Sequence, residues 1–220
     1  MSKGLVIFGN GDIAQLADFY FTRDSALKVE AFTVDANFMK DDKFNGRPNI
    51  AFEELAAIYP PDDFLLFVAV SYAQMNNVRA NKVNTAKSWG YKLASYISSK
   101  ATIFTDLTEN ENCFILENNT IQPYACIGNN VTLWSGNHIG HHSVVGDNCF
   151  ITSHVVVSGG VNIGKNSFIG VNATLHDHIN IANYSLIAAG ALVNKDTEEY
   201  GVYVGAPAKK RKSNSLEISL

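Results

Sequence analysis

From Ile115 to Val193 an aliphatic side chain occupies every sixth position without a gap: Ile115, Ile121, Ile127, Leu133, Ile139, Val145, Ile151, Val157, Ile163, Ile169, Leu175, Ile181, Ile187 and Val193. A helix repeats near 3.6 residues and a strand near 2, so neither accounts for a period of six. A fixed hexapeptide period predicts a β-solenoid in which each six-residue unit forms one short side of a coil. The residue after the aliphatic one is often small, as at Gly128, Gly140, Gly146, Gly164, Gly170, Ala182 and Ala188. The residue four after it is mostly small or β-branched, as at Val131, Ser143, Cys149, Val155, Val161, Ser167, Ala173, Ser185 and Ala191. The expected shape is a narrow prism packed from inside. No long loop interrupts 115–193, so a site on this solenoid is expected to be completed by a neighbouring solenoid and by the first domain of the chain.

Residues 1–97 lack the period. Apolar runs at Leu5–Phe8, Val29–Val34 and Phe64–Val70 read as strands, with a last short one at Leu93–Ile97. Helical patterns fall at Ile13–Phe21, Phe52–Tyr59 and Met75–Trp89, and the alternation predicts a small parallel α/β sheet. The organisation expected is an α/β domain over 1–97, a parallel β-helix over 101–207 and a basic tail over 208–220 whose last residues fray. The net charge of −4 argues against nucleic-acid binding, whose affinity comes from neutralised phosphates. No apolar stretch is long enough to span a bilayer, and the N-terminus lacks the form of a secretory signal. Cys113, Cys126 and Cys149 have neither metal nor redox spacing; Cys113 and Cys149 fall in the inward register, and a reducing cytoplasm is expected.

Two regions carry candidate chemistry. Gly9-Asn10-Gly11-Asp12 follows the first strand and opens a helix, where backbone N–H groups and a helix N-terminus can hold phosphate. The third position of a dinucleotide fingerprint is Ala14, which argues against a redox dinucleotide and leaves a mononucleotide or nucleotide sugar. Asp35 and Ser71 end the second and third strands at the same rim. In the solenoid, three hexapeptides make a coil, so residues 18 apart should stack. That arithmetic places Gly159 over His141, Gly160 over His142, and Gly136, His154, Asn172 and Gly190 in one column. The glycine patch leaves room for a thin ligand and exposes N–H groups for a thioester carbonyl. A neutral imidazole at His141 suits a general base near neutral pH. His176 and His178 read as solvent-facing turn residues.

With these residues in view, the chain resembles the left-handed β-helix acyltransferases. It is most similar to bacterial nucleotide-sugar acetyltransferases of bacillosamine- or perosamine-forming type with a Rossmann-like first domain, a group also described as sialic acid O-acyltransferase-like. The resemblance rests on Ile7–Gly11, Val34-Asp35, Val68–Ser71, Ile139–Gly146, Ile163–Asn172 and Val202–Lys209. It implies a homotrimer acting in bacterial surface-glycan (lipopolysaccharide, O-antigen) synthesis, with acetyl-CoA in a groove between two solenoids and no metal. It implies His141 as base and Gly159, with Gly160, beside the thioester. Val171, Asn172 and Ala189 would line the pantetheine path; Gly205 and Pro207 would lie near adenine, and Lys209 near the CoA phosphates. Gly9, Asn10, Gly11, Asp12, Asp35 and Ser71 would hold the nucleotide sugar, with His154 at the acceptor. The family commonly has Asp or Glu after its catalytic histidine, where this chain has His142. Asn137 or an acid of a neighbouring chain would then orient His141, or the base is less strongly activated. An amine acceptor is expected over a sugar hydroxyl, since an amine needs less base assistance. Outside this class stand a zinc lyase of the γ-carbonic-anhydrase kind, which needs three converging ligands, and a non-catalytic nucleotide-binding scaffold.

Overall fold

The computed structural model describes residues 3–218, which divide into two compact units. The first unit comprises residues 3–71 and 79–96, the second 72–78 and 97–218.

In the first unit the strands are β1 (Gly4–Phe8), β2 (Val29–Val34), β3 (Lys43–Phe44), β4 (Arg47–Ala51), β5 (Phe64–Val68) and β6 (Lys92–Leu93), in spatial order β3-β4-β2-β1-β5-β6. Only the β3–β4 pair is antiparallel. Leu5 to Phe8 are all buried, as a strand covered on both faces requires. Helix α1 (Asp12–Asp24) presents Ala14, Ala17, Asp18 and Phe21 inward, the i, i+3, i+4, i+7 stripe of a packed helix. Asp18 is buried but paired: Arg47 Nε donates to it at 2.9 Å and Asn45 Nδ2 at 2.6 Å. Helix α2 (Leu55–Ile58) is short and preceded by a 3-10 turn at Phe52–Glu54, where a single helix over Phe52–Tyr59 was expected. Helix α3 spans Asn77–Ser88. The β3–β4 hairpin is absent from the sequence expectation, although Asn45-Gly46 signals it. Both residues have positive φ (48° and 77°), which a tight two-residue hairpin demands.

The second unit is a three-sided parallel solenoid. Two-residue strands such as Thr120–Ile121, His138–Ile139, Val156–Val157 and Thr174–Leu175 pair parallel with partners 18 residues on. They build sheets of eight, six and four strands. Every aliphatic residue of the period points inward and is buried, Ile127 most exposed at 8%. The small residues four places later are also inside. Ser143 Oγ donates to Ser158 O at 2.8 Å and Cys149 Sγ to Gly164 O at 3.2 Å, so the polar ones are satisfied. Cys113 and Cys149 are buried free thiols.

A second six-residue period, invisible in hydropathy, turns the corners. Positions 112, 118, 124 and onward to 190 all have positive φ. They are filled by Asn112, Asn118, Asn130, Asn148, Asn166, Asn172, His142, His154, His178, Tyr124, Tyr184 and three glycines. Left-handed backbone is costly for most L-residues and least so for glycine, asparagine and a few others. At one corner Asn112, Asn130, Asn148 and Asn166 form a ladder of side-chain hydrogen bonds of 2.8, 2.8 and 3.1 Å.

On the eight-stranded sheet the outward side chains of Phe114, Phe150, Phe168, Leu186 and Val202 are apolar. Phe150 and Phe168 stack at 6.0 Å, and Tyr72 meets both edge-on at 4.9 Å. Met75, Phe150, Phe168, Leu186 and Val202 form one buried cluster.

The basic tail does not fray within the described residues. Lys209–Asn214 is a strand antiparallel to Gly201–Val204, followed by a 3-10 turn at Ser215–Glu217 with a reciprocal Asn214–Glu217 cap. Lysines on an exposed edge strand protect it from further pairing, which explains the charge without disorder. No helix among the described residues is long and apolar enough to cross a membrane.

Asn130→Gly should keep the corner and lose only the ladder bonds, about 0.5–1.5 kcal/mol each. Asn130→Val should add the left-handed penalty of roughly 1–2 kcal/mol. Thermal unfolding should rank wild type above the glycine variant and that above the valine variant; equal midpoints for the two variants would refute the corner argument.

Candidate functional site

The corner after His138–Ile139 is Gly140-His141-His142-Ser143. A Cβ at Gly140 would lie 2.6 Å from Ser158 C and 2.7 Å from Gly159 N, so only glycine lets the coils close here. Ser143 is tied inside, and the two histidines project outward, both exposed. The His141 N–H donates to Gln122 Oε1 at 2.9 Å, and the Gly160 N–H donates to His141 O at 2.9 Å. The two Nδ1 atoms of His141 and His142 are 3.1 Å apart, with the rings perpendicular at 84°. The His142 ring rests on Tyr124, one coil earlier, at 4.8 Å.

The glycine patch exists but is not empty. A Cβ on Gly159 would lie 2.6 Å from Cε1 and 2.7 Å from Nε2 of His141, so the imidazole lies against this glycine. Gly160 is covered from the other side: its Cβ would be 2.5 Å from Nδ1 of His178. His178 is therefore a wall of the patch and not a bystander, and Gly160 belongs with His178 as much as with His142. The Gly159 N–H has no acceptor among the described residues, while its carbonyl accepts from His178 at 3.0 Å. Gln122 and Tyr124 are not among the candidates the sequence offers, while His178 is the solvent-facing turn residue expected and also walls the patch; the 18-residue arithmetic reaches Tyr124 and His178 when run from His142 and Gly160.

Asn137 is a correction. It is buried (1% exposed), donates to Trp134 O at 2.6 Å and accepts from Val155 N at 2.8 Å. Its amide is spent inside the coil, so it does not orient His141. His154, Val171, Asn172 and Ala189 lie at a different corner, the one that precedes Val156–Val157 and Thr174–Leu175 and continues to Leu192–Val193. There the His154 ring covers Gly136, whose Cβ would be 2.7 Å from its Nδ1. Val171 (42% exposed), Asn172 and Ala189 are all exposed. One chain therefore places the two candidate groups on opposite edges of the solenoid's six-stranded sheet. Gly205 and Pro207 form an exposed turn after Gly201–Val204, with a cis Ala206–Pro207 bond, and Lys209 is exposed beyond it. Lys210 is engaged with Glu198 at 2.5 Å, a hydrogen bond that holds its ammonium above the usual lysine range.

In the first unit, β1 and β5 are neighbours although α1, β2, β3, β4 and α2 lie between them in the chain, which makes their junction the switch point of the sheet. Gly9 sits there with φ 130°, and a Cβ on it would be 2.8 Å from Ala69 O. Gly11 precedes α1 with open space around it, leaving the helix N-terminus accessible. Asn10 Nδ2 donates to Phe38 O at 2.9 Å, tying the glycine loop to the segment after β2. Asp35 is ion-paired with Lys82 at 2.5 Å, and that ammonium lies 5.3 Å from the ring centres of Phe8 and Phe52. Ser71 is half-buried, its carbonyl accepting from Arg79 Nη1 at 3.1 Å. Asp12 opens α1 and is exposed. Gly9–Asp12, Asp35, Ser71 and Lys82 thus all lie at the carboxyl rim of one sheet.

Among the described residues no three His, Cys, Asp or Glu side chains gather to hold a metal ion. Gly9→Ala should destabilise the fold by about 1–3 kcal/mol through its backbone conformation, with the Ala69 contact adding to that. Gly11→Ala should leave the thermal midpoint nearly unchanged. Unfolding of both variants checks the contrast, and equal losses would contradict the switch-point geometry.

The sequence model of the family "Bacterial transferase hexapeptide (six repeats)" matches residues 127–159. No curated protein sequence matches the chain. Solved structures do. A histidine-to-asparagine variant of perosamine N-acetyltransferase from Caulobacter crescentus, in complex with CoA and GDP-perosamine, is similar at 22% identity and TM-score 0.86. That match covers 97% of this chain and 99% of the other. The acetyltransferase domain of PglB from Neisseria gonorrhoeae, in complex with acetyl coenzyme A, is 20% identical with TM-score 0.83, over 96% of this chain and 100% of that one. WeeI from Acinetobacter baumannii is 17% identical with TM-score 0.74, over 96% and 100%. The fold is therefore a Rossmann-like α/β unit followed by a left-handed parallel β-helix.

Proposed function

We propose that this chain is an acyltransferase that moves the acetyl group of acetyl-CoA to the amino group of a nucleotide-linked amino-deoxy sugar. The observation that carries the reading is the His141–Gly159 contact: an exposed imidazole lies on a glycine whose N–H has no acceptor among the described residues. A base and an oxyanion donor thus share one corner, which is what acyl transfer from a thioester requires. The amine nitrogen attacks the thioester carbonyl and a C–N bond forms. His141 takes the amine proton at Nε2. The oxygen of the tetrahedral intermediate accepts from Gly159 N–H. The C–S bond then breaks, and the proton passes to the departing sulfur, giving the amide and CoA thiol.

The nucleotide is assigned to the rim of the first unit. The open α1 N-terminus favours phosphate, and a carboxylate at the end of β2 suits ribose hydroxyls. Asp35 would have to share itself between such a hydroxyl and Lys82. The pantetheine path is assigned to Val171, Asn172 and Ala189, with Gly205, Pro207 and Lys209 toward the nucleotide end of CoA. These lie on the sheet edge opposite His141, so a groove walled by both sets needs two copies. That supports a homotrimer, in which each groove takes one edge from each of two neighbours. The perosamine and PglB neighbours bind CoA or acetyl-CoA, and the perosamine enzyme binds a GDP-linked sugar, which supports these two ligand classes here; a cytoplasmic role in bacterial surface-glycan assembly is part of the same proposal.

The test is thiol release from acetyl-CoA in the presence of UDP-, GDP- and dTDP-linked 3- and 4-amino-6-deoxy sugars. Turnover with one nucleotide class and none with free sugars supports the reading. Acetylation only of sugar hydroxyls would make it an O-acetyltransferase, and failure to bind CoA would leave a non-catalytic scaffold. His141→Ala should remain folded and lose roughly 10²–10⁴-fold in kcat, the usual worth of a positioned base. Gly159→Ala should push the imidazole aside and lower kcat by about 10²-fold, the scale expected for an ångström of misplacement. An effect of Gly159→Ala confined to the KM of acetyl-CoA would mean the glycine serves the groove and not the base.

A further inference from the structure

We infer that His142 is the positioning partner of His141: its Nδ1 accepts the Nδ1–H of His141 and so leaves the Nε2 lone pair of His141 free to act as base. The inference rests on the proposed role of His141. The two Nδ1 atoms are 3.1 Å apart, and one must donate while the other accepts. The hydrogen bond made by one ring nitrogen decides which tautomer a histidine adopts. Nε2 of His141 is the nitrogen beside Gly159, 2.7 Å from where a Cβ would stand, so it is Nε2 that meets the reacting groups. Among the described residues no carboxylate is paired with either ring. The groups around the pair are Gln122, whose Oε1 is taken by His141 N–H, Tyr124 beneath the His142 ring, and His178 across Gly160.

His142 reaches this position because of its backbone. It is a left-handed corner residue with φ 58°, one of the set filled elsewhere by asparagine, glycine, histidine and tyrosine. The corner turns its ring back along the coil toward His141, and Tyr124 holds it from below. A neutral imidazole acceptor differs from a carboxylate in one respect. It fixes tautomer and orientation but brings no negative charge. When His141 takes a proton at Nε2, its Nδ1–H still donates to His142.

The chain itself supplies the variants for a test, since glycine and asparagine already occupy this register at Gly136, Gly160, Asn130 and Asn148. His142→Gly keeps the corner and removes the acceptor. His142→Asn keeps the corner and offers Oδ1. His142→Gly should lower kcat about 10–100-fold, the usual cost of losing an orienting partner, with the KM for acetyl-CoA and the melting temperature unchanged. His142→Asn should recover most of that loss. Nitrogen-15 shifts of the histidine rings, read without substrate, should show His141 as the Nδ1–H tautomer in the wild type and not in His142→Gly. Undiminished kcat in His142→Gly, an asparagine variant no better than glycine, or an Nε2–H tautomer for His141 would each overturn the inference. The tautomer is measured on the protein alone. A wild type that acetylates none of the sugars but holds His141 as Nδ1–H would therefore count against the proposed function and not against the pair.

Discussion

The second unit depends on a backbone conformation that L-residues avoid. Every coil closes because one residue in six takes positive φ, and the penalty of about 1–2 kcal/mol for an ordinary side chain restricts who can stand there. Asparagine, glycine, histidine and tyrosine fill the corners. This constraint separates the histidines into kinds. His142, His154 and His178 sit in the corner register, where a backbone reason suffices for their presence. His141 does not, and no corner conformation demands an imidazole there. A count of six histidines therefore says little about metal chemistry; of the three outside the register, His138, His141 and His176, only His141 lies against the Gly159 patch.

The inward period was fully legible because hydrophobic burial writes itself into residue type. The corner period was not, because asparagine, glycine, histidine and tyrosine share no hydropathy, only a tolerance of left-handed φ. Stacking at 18 residues was also legible, and it brought His141 to Gly159 correctly. What the spacing could not convey was which way the rings lean. Two coils are close enough that an imidazole fills the space a glycine leaves, so the absence of a side chain at Gly159 and Gly160 signals an occupied surface. Asn137 failed as a candidate for a related reason. Nearness in sequence to His141 carries no weight when the intervening residues turn a corner and bury the amide. In the tail, the last eight residues were expected to fray, yet those described complete a strand and a capped 3-10 turn, and the lysines before them are what an exposed strand edge selects.

In the first unit the legible part was the alternation of strand and helix, and the missed part was the β3–β4 hairpin. Its consequence reaches the rim indirectly. On the hairpin, Arg47 forms an ion pair with buried Asp18 of α1 and Asn45 donates a hydrogen bond to it, which fixes the helix whose N-terminus faces the glycine loop. Gly9 is demanded twice, by its positive φ and by Ala69 O, so its presence alone is no proof of phosphate binding. Gly11 is demanded by neither, so neither backbone conformation nor packing accounts for it.

The regularity that makes the solenoid stable also limits what one copy can do. With two-residue strands and four-residue corners, no side chain reaches from one edge of a sheet to the other. His141 with Gly159, and Val171 with Ala189, stand on the two edges of the same six-stranded sheet. A longer loop could bridge them, but the unbroken period allows none. The proposed trimer solves this with no added sequence, because rotation brings the edge of one copy to the opposite edge of the next. Substitutions at Val171 or Ala189 should then act on a His141 they never touch within their own chain. Mixed trimers carrying one defect on each edge, in separate chains, would regain part of the activity that either defect alone removes.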